Sequence, residues 1–258
     1  MRRRIVLGAV LGLLVVAAVA SASTFRQHIV LGELVLDAEG GFEPNALPKN
    51  KNAPIITHGG GKLSTVSGDI PPVLDSFVLE FDKHGAVDTT GIPVCTRGKL
   101  VATDVKAARR ACGKAIVGKG FGKAVVAFPE QGPIKVGSPI TLFNGPKKGG
   151  NDTIIAHAHL DYPGPATFIV PIVIEKIHRG VYGYRVVVKI PKIAGGYGHP
   201  VSGSAKVGRK WTFKGKKHSY ISARCQTGRF YVKGQFKFKD EAKTNITANF
   251  ILPCKVRK

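Results

Sequence analysis

The run His157-Ala158-His159-Leu160-Asp161 places two imidazoles and a carboxylate at alternate positions. On an extended strand such positions share one face, about 7 Å apart at successive steps. Imidazoles and a carboxylate gathered that closely are a ligand set for zinc, iron or manganese. His157, His159 and Asp161 are therefore the candidate metal triad, and the plainer role open to them is to face solvent or hydrogen-bond within the fold. Other chemistry-bearing residues are few. Glu175 is the one acid inside an apolar run, where burial would raise its pKa, but no second carboxylate stands nearby to complete a glycosidase pair. His58-Gly59-Gly60-Gly61 offers backbone N–H groups of the kind that hold an oxyanion, yet no G-x-S-x-G nucleophile turn occurs in the chain. Nor does the same run make a phosphate loop, since a leucine follows Lys62.

The elements that must position these groups read as strands. Residues 153–161, 166–177 and 182–190 form three in succession, broken by Pro163-Gly164-Pro165 and His178-Arg179-Gly180. The middle one is apolar on both faces and so belongs in the centre of a sheet, while Pro171 within it requires a bulge or a free edge. Further strands are expected at 29–36, 76–82, 115–128, 202–207, 210–214, 218–225, 229–239 and 245–252. Strand 76–82 is expected to turn at Asp82-Lys83-His84-Gly85 into a hairpin with 86–89, and 42–61 reads as loop. Gly118, Gly120 and Gly122 fall on one face of their strand and leave a trough, suited to a facing sheet or to a ligand. Residues 103–112 form the one helix, capped by Thr103 or Asp104. The fold class is all-β, an antiparallel sandwich or barrel with one short helix. It spans residues 23–258 as a single domain, with a possible sub-division near 130–138.

Residues 1–22 carry Arg2-Arg3-Arg4, an apolar run over 5–20 and the small-x-small site Ala20-Ser21-Ala22. That is the pattern of a cleavable export signal helix. Left uncut it would be an anchor, and at roughly 17 residues a run is about as short as a spanning helix can be. Four cysteines in an exported chain imply two disulfides, with three pairings possible. Proximity favours Cys95–Cys112 and Cys225–Cys254. The 39 Lys and Arg against 16 acids give a net charge of +23, or +20 once the three arginines leave with the signal. From residue 206 onward 15 cations face only two acids, Asp240 and Glu241. On strand 229–239, Phe230, Val232, Phe236 and Phe238 alternate with Tyr231, Lys233, Gln235, Lys237 and Lys239. Tyr231, Lys233, Lys237 and Lys239 thus make a candidate binding face for an acidic glycan, a wall phosphate or anionic lipid headgroups.

The H-x-H-x-D spacing resembles the H-x-H-x-D-H motif of the metallo-β-lactamase fold, with Tyr162 where its last histidine belongs. It also resembles the H-x-H of cupins, without the glutamate that follows there. Over most of the mature chain, the runs PITLFNGPKKGG, ATFIVPIVIEKI and PKIAGGYG, with Cys254 near the C-terminus, resemble uncharacterised secreted proteins of actinobacterial type. That resemblance implies export and an all-β fold and carries no catalytic residue across. The expectation is a non-enzymatic, secreted or envelope-associated protein that binds an anionic polymer or surface. It has no cofactor, no specific nucleic-acid partner and no membrane span after signal cleavage. The alternatives are a metal-dependent hydrolase built on the H-x-H-x-D cluster, or an apolar-ligand carrier if a cavity lies between the sheets.

Overall fold

The computed structural model describes residues 23–239 and 244–257; the expected signal helix at 1–22 lies outside them. Twelve strands, numbered in chain order, form one large sheet. They are β1 Ser23–Leu31, β2 Leu34–Glu43, β3 Ile56–Thr65, β4 Val73–Asp82, β5 Ile116–Val126 and β6 Ile134–Lys148. The series continues with β7 Asn151–Leu160, β8 Ala166–Arg179, β9 Tyr182–Lys189, β10 Gly198–Val207, β11 Arg229–Lys239 and β12 Asn245–Pro253. Their order is β1-β2-β3-β10-β5-β6-β7-β8-β9-β4-β11-β12, each neighbouring pair antiparallel. The sheet curls until its two edges meet, so the all-β expectation resolves into a nearly closed barrel. At the meeting edges Ser23 Oγ donates to the Pro253 carbonyl at 2.6 Å, and Phe25 stacks on Phe250 with ring centroids 4.3 Å apart.

Alternation decides which side of each strand faces in. On β12, Ile246, Ala248, Phe250 and Leu252 are buried while Asn245, Thr247, Asn249 and Ile251 are exposed. Inward residues of β2, β3, β11 and β12 pack into one apolar core with Leu36, Phe42, Leu63, Phe230, Phe238 and Phe250 among its members. A second core, around Val117, Leu142, Ile154, Ile174 and Tyr220, fills one end of the β5–β9 half, and Ile221 touches both. A smaller third, Ala124, Val126, Val136 and Leu160, closes the opposite end of that half. The segment around Tyr220 caps the barrel: Ile221–Ala223 pairs with Ala53–Pro54 and with Gly85–Val87 in a small separate sheet. Across the barrel His199 Nδ1 meets the Pro71 carbonyl at 2.8 Å, just ahead of β4.

Outside the wall sits a flap ending in the helix α1, Val105–Cys112. Asp104 caps it, its Oδ1 accepting from the Ala107 N–H at 2.6 Å, and Arg109 and Arg110 in the last turn suit the helix dipole. The flap packs its own apolar cluster, Cys95, Leu100, Ala108, Cys112 and Ala115, onto the outward side chains Phe143 and Ile155. Both disulfides form as proximity favours, Cys95–Cys112 and Cys225–Cys254.

Several local expectations are corrected. The first strand is two, β1 and β2, hinged at Gly32 with φ +58°. The stretch 42–61 is not a loop throughout, because His58-Gly59-Gly60-Gly61 lies inside β3, paired on both edges. Gly85–Val87 does not hairpin back onto β4; its partner is Ile221–Ala223, more than 130 residues on in the chain. β5 and β6, on either side of residues 127–133, pair from Ile116–Phe143 to Val126–Ile134. Pro171 is accommodated without a bulge on β7, opposite Ile155. On its other side the ladder to β9 stops at Ile174–Val186, so no rung requires the N–H that Pro171 lacks.

Candidate functional site

The two histidines of the H-x-H-x-D run point outward from β7, and the flap covers them. His157 is fully buried. Its Nε2 lies 3.0 Å from both the carbonyl and the hydroxyl oxygen of Thr103. Thr103 Oγ1 donates to the Leu100 carbonyl at 2.7 Å, so both Thr103 oxygens are acceptors toward His157 and Nε2 must carry the hydrogen. Thr167 Oγ1 donates to the same Thr103 carbonyl at 3.1 Å, which leaves it to accept from His159 Nδ1 at 2.8 Å. Thr103, immediately before the helix cap, is thus the hub onto which the H-x-H pair clasps. Asp161 reaches His159 alone, 3.4 Å from Nε2, with its side chain 93% exposed. Among the described residues no three His, Cys, Asp or Glu groups gather closely enough to hold a metal ion. His157, His159 and Asp161 do not converge, and the arrangement latches the flap to the wall.

His157 Nδ1 is buried with no hydrogen-bond partner, so the neutral ring is the form the fold accommodates. Burial pushes its pKa below the ordinary 6.5, with the neighbouring His159 adding to the effect. An unfolded chain takes up this proton near the ordinary value, whereas the folded chain resists it to lower pH. The contribution is therefore full above about pH 6.5 and is lost as pH falls from there. His157→Gln keeps an N–H for Thr103 and removes the titration. Urea midpoints are expected to drop more for the natural chain than for this variant between about pH 7.5 and about pH 5.5. Parallel curves would assign the acid sensitivity to other groups.

The glycine run at His58 is no oxyanion loop, being part of a strand whose N–H groups are committed to ladders. Glu175 is outward and directly opposite Arg185, which is opposite Glu80, which is opposite Lys233. These four residues form a row of alternating sign around the outer wall, with Arg179 also 3.9 Å from Glu80. Lys233 is the end of that row. Lys239 is held by Asp75 at 3.0 Å, and the Tyr231 N–H donates to Asp82 at 3.2 Å. Lys237, opposite Ser76 and Asn245, is the member of the C-terminal face with no acid opposite.

A second cationic surface runs across β3, β10 and β5, and composition alone does not single it out. Lys206 is directly opposite His58 on one side and Lys119 on the other. Lys119 is opposite Thr141 on β6, to which Arg109 of the helix donates at 3.4 Å. Lys206 has an acid, Glu43 at 2.7 Å. Lys119 and Lys123 make no ion pair among the described residues. Between these strands lies a shallow hollow of about 310 Å³ lined by Glu39, His58, Lys119, Ser204 and Lys206. The signal for this surface is scattered, with Lys119 and Lys123 on β5 and single cations on β3 and β10, and these become one patch only when the non-sequential strand order is known.

Comparison of the chain with protein-family models and with curated proteins finds no match.

Proposed function

We propose that the mature chain is an exported, non-enzymatic barrel that binds an anionic envelope or extracellular polymer through outward lysines. The observation that carries this reading is Lys119 directly opposite Lys206. Like charges facing each other across a ladder are destabilising; Glu43 offsets Lys206, and a partner with repeated anionic groups would answer Lys119. Two disulfides fit an oxidising compartment. Outward charges at mid-strand, Lys119, Lys123 and Lys233, lie where a lipid-embedded barrel would be apolar, and no described helix is long and apolar enough to cross a membrane. The C-terminal face of Tyr231, Lys233, Lys237 and Lys239 contributes less than its composition promises, because Glu80 and Asp75 offset it.

Retention on a polyphosphate matrix is expected to fall steeply as salt rises and the screening length shrinks from about 10 Å toward about 3 Å. Lys119→Glu with Lys123→Glu should elute at roughly half the salt of the natural chain, and Lys233→Glu with Lys237→Glu at a value between the two. Salt-independent retention would reject the reading. A larger loss from the Lys233 pair would move the main contact to the C-terminal face.

A further inference from the structure

Between β10 and the cap the chain forms a hairpin that stands apart from the main sheet. Lys210–Phe213 pairs with Lys216–Ser219 and with no other strand. Its turn residues, Lys214 and Gly215, have φ of +47° and +74°, the left-handed pair that a tight two-residue hairpin turn requires. One face of the hairpin is fastened to residues 88–91. The Trp211 indole N–H donates to the Thr90 carbonyl at 2.9 Å, and its ring stacks on His218, directly opposite, with centroids 5.4 Å apart. His218 Nδ1 meets Asp88 at 2.7 Å. Phe213 lies on Gly91, where a Cβ would collide with its ring. At the base, Arg209 donates to the Lys114 and Ile116 carbonyls.

The opposite face and the tip are cationic. Alternation turns Lys210, Thr212 and Lys217 away from the aromatic side, and all three are exposed. Lys210 and Lys217 are diagonal neighbours, about 7–8 Å apart, and the exposed Lys214 and Lys216 flank the tip. None of these four lysines makes an ion pair among the described residues. Residues 201–239 contain no acid, and Asp88 is already engaged by His218 and by the Thr90 N–H at 2.8 Å. Four residues of chain span at most about 14 Å, so Lys210 follows closely on Lys206, which faces Lys119. The hairpin thus prolongs the cationic wall beyond the end of β10. Pinned at its base, ring stack and turn, it cannot splay to relieve the repulsion, and it would meet a polyanion at little ordering cost.

We propose that this hairpin grips a linear phosphate polymer, which runs from it along β10 and β5 over Lys206, Lys119 and Lys123. The proposal rests on the polyanion reading above and extends it to a second element. Lysine meets phosphate as a point charge, whereas the bidentate arginine that planar carboxylates favour is not on offer, Arg209 being spent on backbone carbonyls. Trp211 and Phe213 are half-buried against residues 88–91. No ring is therefore presented for stacking on a base, and no apolar tip for entering a bilayer.

The test is titration of the purified chain with long-chain polyphosphate over a series of salt concentrations. Lys210→Gln with Lys217→Gln should weaken binding at low salt by at least about tenfold, and the plot of log affinity against log salt should lose about one unit of slope per lysine. Lys49→Gln with Lys51→Gln removes the same charge from two exposed lysines elsewhere and should change affinity by less than about twofold. All four positions are exposed, so both variants should melt with the natural chain. Equal affinities of the two double variants would overturn the hairpin and leave the polyanion reading standing. Absent or salt-independent binding by the natural chain would overturn both. Binding to a polyuronate or to phosphatidylglycerol vesicles as tight as to polyphosphate would overturn the phosphate polymer as the partner.

Discussion

Phe250→Ala is expected to cost about 3–5 kcal/mol of stability, as truncation of a buried aromatic does when neighbours cannot collapse into the gap. Phe250 is 5% exposed and is the inward residue of β12 that stacks on Phe25 of β1. No ladder joins those two strands, so the ring stack and the Ser23–Pro253 hydrogen bond bear the closure between them. Loss of the ring would leave a void in the largest core and two sheet edges without their clasp. Urea melts of Phe250→Ala and of Asn249→Ala, its outward neighbour, provide the comparison, and the second should change stability by less than about 0.5 kcal/mol. A Phe250→Ala cost below about 1 kcal/mol would mean that the edges are held by something other than this contact.

The double replacement Cys225→Ala with Cys254→Ala should cost about 4 kcal/mol, from the closure entropy of a loop spanning 29 residues. Its partner experiment, Cys95→Ala with Cys112→Ala, opens a loop of 17 residues and should cost about 3 kcal/mol. The two losses should also differ in kind. Cys225 and Cys254 belong to the main core and tie the last strand to the cap, where Lys255–Arg257 runs parallel to Ala46–Pro48. Their removal should lower the unfolding of the whole barrel. Cys95 and Cys112 belong to the flap cluster outside the wall, so their removal should free the flap while the barrel melts nearly as before. Hydrogen exchange separates these outcomes: early exchange confined to residues 95–115 in the second variant is expected. Barrel-wide exchange there would make the flap integral to the wall.

Local pattern revealed what local physics controls. β8, β9, β11 and β12 were legible because one-in, one-out alternation needs nothing beyond the strand itself. The helix was legible through Asp104 and the alanines and arginines that follow. β6 was missed: Gly137, Pro139, Gly145 and Pro146 are turn residues by any local rule, yet its centre, Thr141–Asn144, is buried between β5 and β7. β3 was hidden for a similar reason, its three glycines reading as loop until paired strands are set on both edges. Ring closure joins residue 25 to residue 250, and no window of sequence contains that contact. The H-x-H pair was visible as chemistry, but its partner was not. Thr103 lies 54 residues upstream of His157, and only the packed flap shows that His157 meets its carbonyl while His159 meets the Thr167 hydroxyl.

The rungs between β8 and β9 run from Ile174–Val186 to Arg179–Tyr182 and no further. Over the remaining length, with Pro171 in its midst, β8 is hydrogen-bonded to β7 alone and β9 to β4 alone. Like the seam between β1 and β12, which no ladder joins, this stretch of wall is held by side chains alone. Amides of Ile169, Val170, Ile172 and Val173 should trade their protons with water sooner than those of 154–158 on the next strand.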